Sequence, residues 1–211
     1  MMMLIFDFII IVVEKNCEKL FNMSVFKTQI CDSQTWTPDQ LEAIPISKIE
    51  NQNSNMIYYR FSRHIIFMYT ITGVFDTHLF KTPMGKEKIG ILMDEQMEQK
   101  ILEFAEYLKK RFLNYSGFTE EDVQFRPMVR EEGQIIFNYD PDTIDVMIQN
   151  ERIDIPMIDR KTCIGRLEFI VNLGYMHKVT KHMGISITLI KIKLNEMPED
   201  IDDGIEFDDT D

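Results

Sequence analysis

The chain lacks most of the features that would mark a secreted protein, a membrane protein or an enzyme. It has three cysteines, Cys17, Cys31 and Cys163, widely spaced and without a CxxC pair. That excludes a disulfide framework or a cysteine zinc site and suits a reducing, intracellular compartment. No apolar run reaches the roughly 20 residues that a bilayer core requires. The longest, residues 1–13 (MMMLIFDFIIIVV), is shorter and carries Asp7. It shows neither the basic flank nor the small-residue cleavage site of a signal peptide. No stable membrane span is therefore expected.

The motifs of chemistry are missing too. There is no nucleophile elbow, P-loop, dinucleotide fingerprint or metal-binding helix motif, and Gly85-Lys86-Glu87-Lys88 lacks the glycine spacing of a phosphate loop. His64, His78, His177 and His182 do not fall at ligand spacing on one helix face. Asp140, Asp142 and Asp145 surround a proline and read as a solvated turn rather than a metal site. With no acid–base or nucleophile constellation, the chain reads as a non-enzyme without cofactor or metal.

What is present is charge, unevenly spread. The chain of 211 residues has a net charge of −12, which taken whole argues against a nucleic-acid binder. Nine of the acids lie after Asn195: Glu196, Glu199, Asp200, Asp202, Asp203, Glu206, Asp208, Asp209 and Asp211. Directly before them, from Arg160 to Asn195, Arg160, Lys161, Arg166, Lys178, Lys181, Lys191 and Lys193 face the single acid Glu168. A basic, β-rich segment followed by an acidic tail is the pattern of a protein whose own tail competes with nucleic acid. Few apolar groups, with Pro198 and Gly204, predict that the tail is disordered.

Taken in order, the chain divides into four parts. Residues 1–22 form an apolar extension, open to three readings: an element packed on the domain, a weak membrane anchor, or translation from a non-native start ahead of Met23. Residues 23–55 are polar, with Pro38, Pro45 and the run Asn51-Gln52-Asn53-Ser54-Asn55, and read as an arm or loop with one short helix near Pro38-Asp39-Gln40-Leu41. Residues 56–195 carry the ordered domain, and 196–211 the tail. Met56 to Thr72 is rich in β-branched and aromatic residues and predicts one long or two short strands. A further strand around 75–80 is closed by the turn signal Thr82-Pro83-Met84-Gly85.

One helix is predicted over Asp94–Asn114, where Met97, Ile101, Phe104, Ala105, Leu108 and Phe112 make a single stripe. Asp94 can cap it. Strands follow at Val123–Arg130, Gln134–Tyr139, Thr143–Gln149, Gly165–Met176 and Gly184–Leu194. In the last of these the apolar parity switches from Ile185, Ile187 and Leu189 to Ile190, Ile192 and Leu194. That suits a strand that bends as barrel strands do. The expected fold is mainly β, an OB-fold-like barrel with one inserted amphipathic helix.

Aromatic residues interleaved with bases point to nucleic acid. Tyr58-Tyr59-Arg60-Phe61-Ser62-Arg63 puts Tyr59, Phe61 and Arg63 on one strand face, and Tyr58 and Arg60 on the other. Single-stranded nucleic acid stacks its bases on such rings while Arg and Lys hold phosphates. Candidate contacts are therefore Tyr59, Arg60, Phe61, Arg63, Arg126, Arg130, Lys161, Arg166, Tyr175, Lys178, Lys181, Lys191 and Lys193. Core packing is the competing reading for each ring. Glu199, Asp200, Asp202, Asp203, Glu206, Phe207, Asp208, Asp209 and Asp211 are candidates for a partner-binding tail.

Four segments carry a resemblance. Lys81-Thr82-Pro83-Met84-Gly85 before the helix, Phe125-Arg126-Pro127-Met128-Val129-Arg130, and Gly165 to Val171 with the closing run Lys181 to Lys193 resemble the single-stranded DNA-binding proteins of large DNA viruses. That group is similar in plan to the phage-type replication binding protein, with an OB-fold barrel, an inserted helix and an acidic tail. The resemblance implies non-sequence-specific binding of single-stranded DNA in viral replication or recombination. It implies partners among replication proteins through the tail, and action at an intracellular site of viral replication, with room for a homo-oligomer. The chain departs from the phage plan in its tail, where Phe207 lies four residues before the end. The alternative is a viral structural or scaffold protein whose acidic tail binds a basic partner.

Overall fold

The computed structural model describes residues 28–52, 54–130, 133–201 and 207. The three readings of residues 1–22 lie outside these. In chain order the elements are β1 (Thr28–Asp32), α1 (Asp39–Glu42), β2 (Ile46–Glu50), β3 (Met56–Phe61), β4 (His64–Met68), β5 (Gly73–Lys81), β6 (Glu87–Met93), α2 (Glu95–Ser116), β7 (Gln124–Phe125), β8 (Gln134–Asn138), β9 (Asp145–Ile148), β10 (Glu151–Arg152), a 3-10 turn (Ile155–Ile158), β11 (Lys161–His177), β12 (His182–Leu194) and β13 (Glu199–Asp200).

Helix α2 follows the predicted stripe. It buries Met97, Ile101, Phe104, Ala105, Leu108 and Phe112, and adds Leu113. The Met97 N–H donates to Asp94 Oδ1 at 2.7 Å and the Val74 N–H to Oδ2 at 2.6 Å, so one carboxylate caps the helix and ties it to β5. Gly117 ends the helix with φ 76°, the left-handed conformation that glycine adopts without penalty. The stripe packs on an aromatic cluster whose ring centroids lie 4.5 Å (Phe67–Phe104), 5.1 Å (Phe67–Phe169) and 5.2 Å (Phe137–Phe169) apart. Each such pair adds about 0.5–1.5 kcal/mol beyond the area it buries.

Around this core β11, β5, β6, β8 and β12 pair in sequence and β12 returns to β11, closing a five-stranded barrel. The architecture is compatible with the OB plan. The 17-residue β11 is its spine: one edge pairs in turn with β5, β4 and β3, the other with β12. Two register shifts interrupt the β11–β12 ladder, between Glu168 and Phe169 and between Val171 and Leu173. The first leaves Ile190 unmatched, and it accounts for the switch of apolar parity along β12. The second changes which β11 side chains face the core. Leu167, Phe169 and Val171 are buried before it, Met176 after it, and Tyr175 is turned outward.

Three expectations need correction. The polar arm is built into the sheet, with β1 parallel to β4 and β2 antiparallel to β3. Its polarity reflects edge strands with one solvated side; the short helix falls at α1 as expected. The segment from Val123 to Arg130 contributes only the two-residue β7, with Val129 in a single bridge to Ile135. Arg126-Pro127 explains the stop, since proline cannot donate to a ladder. Finally, Glu199 and Asp200 are not loose coil. They pair as β13 with Thr162 and Lys161 of β11, on the edge that β12 leaves open before Gly165. The rest of the disorder expected for the tail falls on residues 202–206 and 208–211, outside the described residues.

Candidate nucleic-acid interface

The outward side of the barrel carries a cleft of about 530 Å³. One wall comes from the β5–β6 turn and strand β6, through Met84, Lys86 and Lys88. The other comes from β3 and β11, through Met56, Tyr58, Leu173 and Tyr175. Asn138 of β8 and Ser186 and Ile187 of β12 lie between them, where those strands meet at the Thr188–Asn138 pair. The segment between β7 and β8 adds Arg126 and Arg130. A second hollow of about 470 Å³ shares Arg126 and Tyr175 and runs on toward Phe125 and His182.

Its composition departs from that of the chain. Among the described residues, Lys86, Lys88, Arg126 and Arg130 line the larger cleft and no carboxylate does, in a protein with 35 acidic and 23 basic residues. Two rings face it. Tyr58 and Tyr175 are directly paired across β3 and β11, so they stand side by side on one face. A Cβ on Gly184 would come within 2.6 Å of the Tyr175 hydroxyl oxygen. That glycine, opposite Tyr175 on β12, is what lets the ring lie down on the sheet. Between the walls the Asn138 Nδ2 donates to the Ile187 carbonyl at 2.8 Å, and the Asn172 Nδ2 donates to Thr188 Oγ1 at 2.7 Å.

Of the predicted contacts, this cleft gathers Arg126, Arg130 and Tyr175. Tyr59 and Phe61 are a correction: only 1% and 4% exposed, they face α2, with Tyr59 6.0 Å from the Tyr115 ring and Phe61 5.2 Å from the Phe112 ring. Burial pushes the Tyr59 phenol up from its ordinary value. Arg60 points the other way on β3, and Arg63 lies half-buried between β3 and β4. Lys178, in the β11–β12 turn, is 3.1 Å from Glu50 and donates to the Asn51 carbonyl. Lys181 sits 5.1 Å over the Phe118 ring.

The remaining bases are held elsewhere on the two long strands. Lys161 is ion-paired with Asp200. Arg166 is cross-strand from Lys193, whose ammonium reaches to 4.0 Å from Glu168. Lys191 pairs with Asp145 at 2.8 Å, and this contact holds its ammonium above the ordinary lysine range. Asp145 is thereby an ion-pair partner and Asp140 an acceptor for the Asp142 N–H, as a turn requires. Among the described residues no group of three or more His, Cys, Asp or Glu could hold a metal ion, and no helix is long and apolar enough to cross a membrane.

Tyr58, Met84, Lys86 and Lys88 were missed from the sequence. For Tyr58 the signal was present. Ile57, Tyr59 and Phe61 make the apolar parity of β3, which leaves Met56, Tyr58 and Arg60 facing out. In the tail, Asp202, Asp203, Glu206, Asp208, Asp209 and Asp211 lie outside the described residues. Phe207 packs on the barrel, its ring 5.4 Å from that of His78 and 5.4 Å from the Arg160 guanidinium carbon.

No protein-family profile, curated protein or solved structure matches the chain. The likeness to viral single-stranded DNA-binding proteins therefore rests on the sequence segments alone.

Proposed function

We propose that the protein binds single-stranded DNA without sequence preference, in the cleft between the β5–β6 turn and β3–β11. The observation that carries this reading is the cleft's lining, among the described residues, of four cations and two tyrosines without a carboxylate, in a chain of net charge −12. The cations suit a phosphate backbone, and the paired rings add what a plain polyanion site would not use: flat apolar surfaces for unpaired bases. The resemblance of four segments to viral single-stranded DNA-binding proteins extends the proposal to viral DNA replication or recombination, at an intracellular site. The acidic tail would then be the contact for replication proteins.

Fluorescence anisotropy with a labelled oligothymidylate, its annealed duplex and heparin tests this. The single strand is expected to win over the duplex by a wide margin, because paired bases hide their faces. Equal affinity for all three would leave a general polyanion site and remove the stacking role.

A further inference from the structure

Among the described residues Met84 is the most exposed of the large apolar side chains, at 81%, yet it lines a cationic cleft. Its backbone is tightly held. The Gly85 N–H donates to the Thr82 carbonyl at 2.8 Å, the Thr82 N–H to the Lys86 carbonyl at 3.0 Å, and the Lys86 N–H to Thr82 Oγ1 at 3.1 Å. Pro83 presets its own φ, and Gly85 takes φ 77°, open to glycine. The turn is thus a rigid arm with a long, flexible side chain near its tip.

The opposite wall presents the cross-strand pair Tyr58 and Tyr175. The space between lies within the range of about 300–1,000 Å³ typical of sites that hold small organic ligands. A thioether suits one side of a planar ring, being polarisable and able to adapt its rotamer. Lys86, two residues on, adds a cation at the same rim.

We propose that this turn is a base clamp: one nucleobase of the bound strand is sandwiched between Met84 and the Tyr58–Tyr175 wall. The proposal rests on the single-strand reading and deepens it, because stacking on the tyrosines alone would leave the base's second face in water. The second face makes the difference between a platform that a strand slides across and a slot that a base must leave before the strand moves. The clamp therefore acts on the dissociation rate, where most affinity differences between related complexes lie.

The test uses the full chain and an oligothymidylate carrying one fluorescent adenine analogue, with dissociation followed by stopped flow. Met84→Ala is expected to speed dissociation about fivefold and to restore part of the analogue's quenched emission. Met84→Leu, which keeps an apolar side chain of similar size, is expected to hold both near the wild-type values. In a double-mutant cycle, Met84→Ala and Tyr58→Ala are expected to be coupled, because each removes one face of the same sandwich. Wild-type dissociation and emission in Met84→Ala, or strict additivity with Tyr58→Ala, would overturn the clamp while leaving single-strand binding intact. An unmodified protein that does not bind the oligonucleotide would instead remove the single-strand reading, and the clamp with it.

Discussion

The ring of Phe207 lies 5.4 Å from the guanidinium carbon of Arg160, close enough for a cation–π contact that ties the acidic tail to the barrel. The ring also lies over Gly90, where a Cβ would be 3.4 Å away, and the cross-strand partner of Gly90 is Ile136, which lines the cleft. Closer to the barrel's end, Asp200 pairs with Lys161. Asp200 is thus anchored on β11 and Phe207 on the outer face of β5 and β6, one strand pairing from the cleft-lining Ile136.

From this placement we predict that the tail weakens DNA binding. A tethered polyanion acts at an effective concentration on the order of millimolar. Phe207→Ala, which loosens one anchor, should tighten single-strand binding about threefold at low salt. Deletion of residues 196–211 should tighten it more. Both gains should shrink as salt screens the contact. Anisotropy titrations at two salt concentrations check this; identical affinities for full-length and truncated protein at both would reduce the tail to a solubilising segment.

Adjacent tyrosines on β3 should respond in opposite ways. Tyr59→Ala empties a buried site beside α2 and should cost about 3–5 kcal/mol of stability. Tyr58→Ala removes a ring from the cleft wall and should leave the melting temperature nearly unchanged while weakening single-strand binding by about 1–3 kcal/mol. Thermal melts read alongside binding curves separate the two. A Tyr58→Ala protein with wild-type affinity would contradict stacking at that ring.

That pair also marks how far the site was legible in the sequence. The class of fold, the helix and its buried face follow from periodicity, because a stripe such as Met97, Ile101, Phe104 and Leu108 has one way to be buried. Strand parity was legible too, but in Met56–Phe61 the aromatic residues fall on both faces, and the eye is drawn to Tyr59 and Phe61 when Ile57 shows theirs to be the core side. Tyr175 shares the parity of Leu167 and Phe169 in the sequence; only the register shift near Asn172 turns it outward, and a one-residue shift leaves no local pattern. Lys86 and Lys88 come to the cleft through pairings that run from β6 to β8 and β12, contacts far apart in the chain. The pairing of Glu199–Asp200 with β11 is equally non-local, and composition alone argues for coil there.

The buried thiols set a pH dependence. Burial pushes Cys31 and Cys163 up to about 12, with a lesser opposing effect from Thr77 on Cys163. Thiolate is the reactive form, so neither should be labelled by a maleimide or disulfide reagent in the native protein at mildly alkaline pH. Labelling in denaturant should reach both. Mass spectrometry of the peptides reads each site, including Cys17, separately. The sign for stability follows: above pH 9 the unfolded chain loses thiol protons that the folded chain keeps, so stability falls as pH rises from about 9 to about 12. Rapid native labelling of Cys163 would mean that β11 opens beside β5.

The salt dependence of binding should map to the cleft rather than to the long basic strands. If Lys86, Lys88, Arg126 and Arg130 each meet a phosphate, the log–log slope on single strands should be about −3, from roughly −0.7 per contact. Replacing Lys86 and Arg126 together by Gln should flatten it by about 1.4. Lys191 and Lys193 make the contrast. Neither lines the cleft, so their replacement by Gln should leave the slope nearly unchanged, although both stood among the basic residues first expected to bind DNA. Titrations across low to moderate salt with the two double variants give the answer. Should Lys191→Gln with Lys193→Gln flatten the slope while the cleft pair does not, the phosphate path would run along the far half of β12, beyond the register shift at Glu168 and Phe169, and the cleft would lose its claim to the strand.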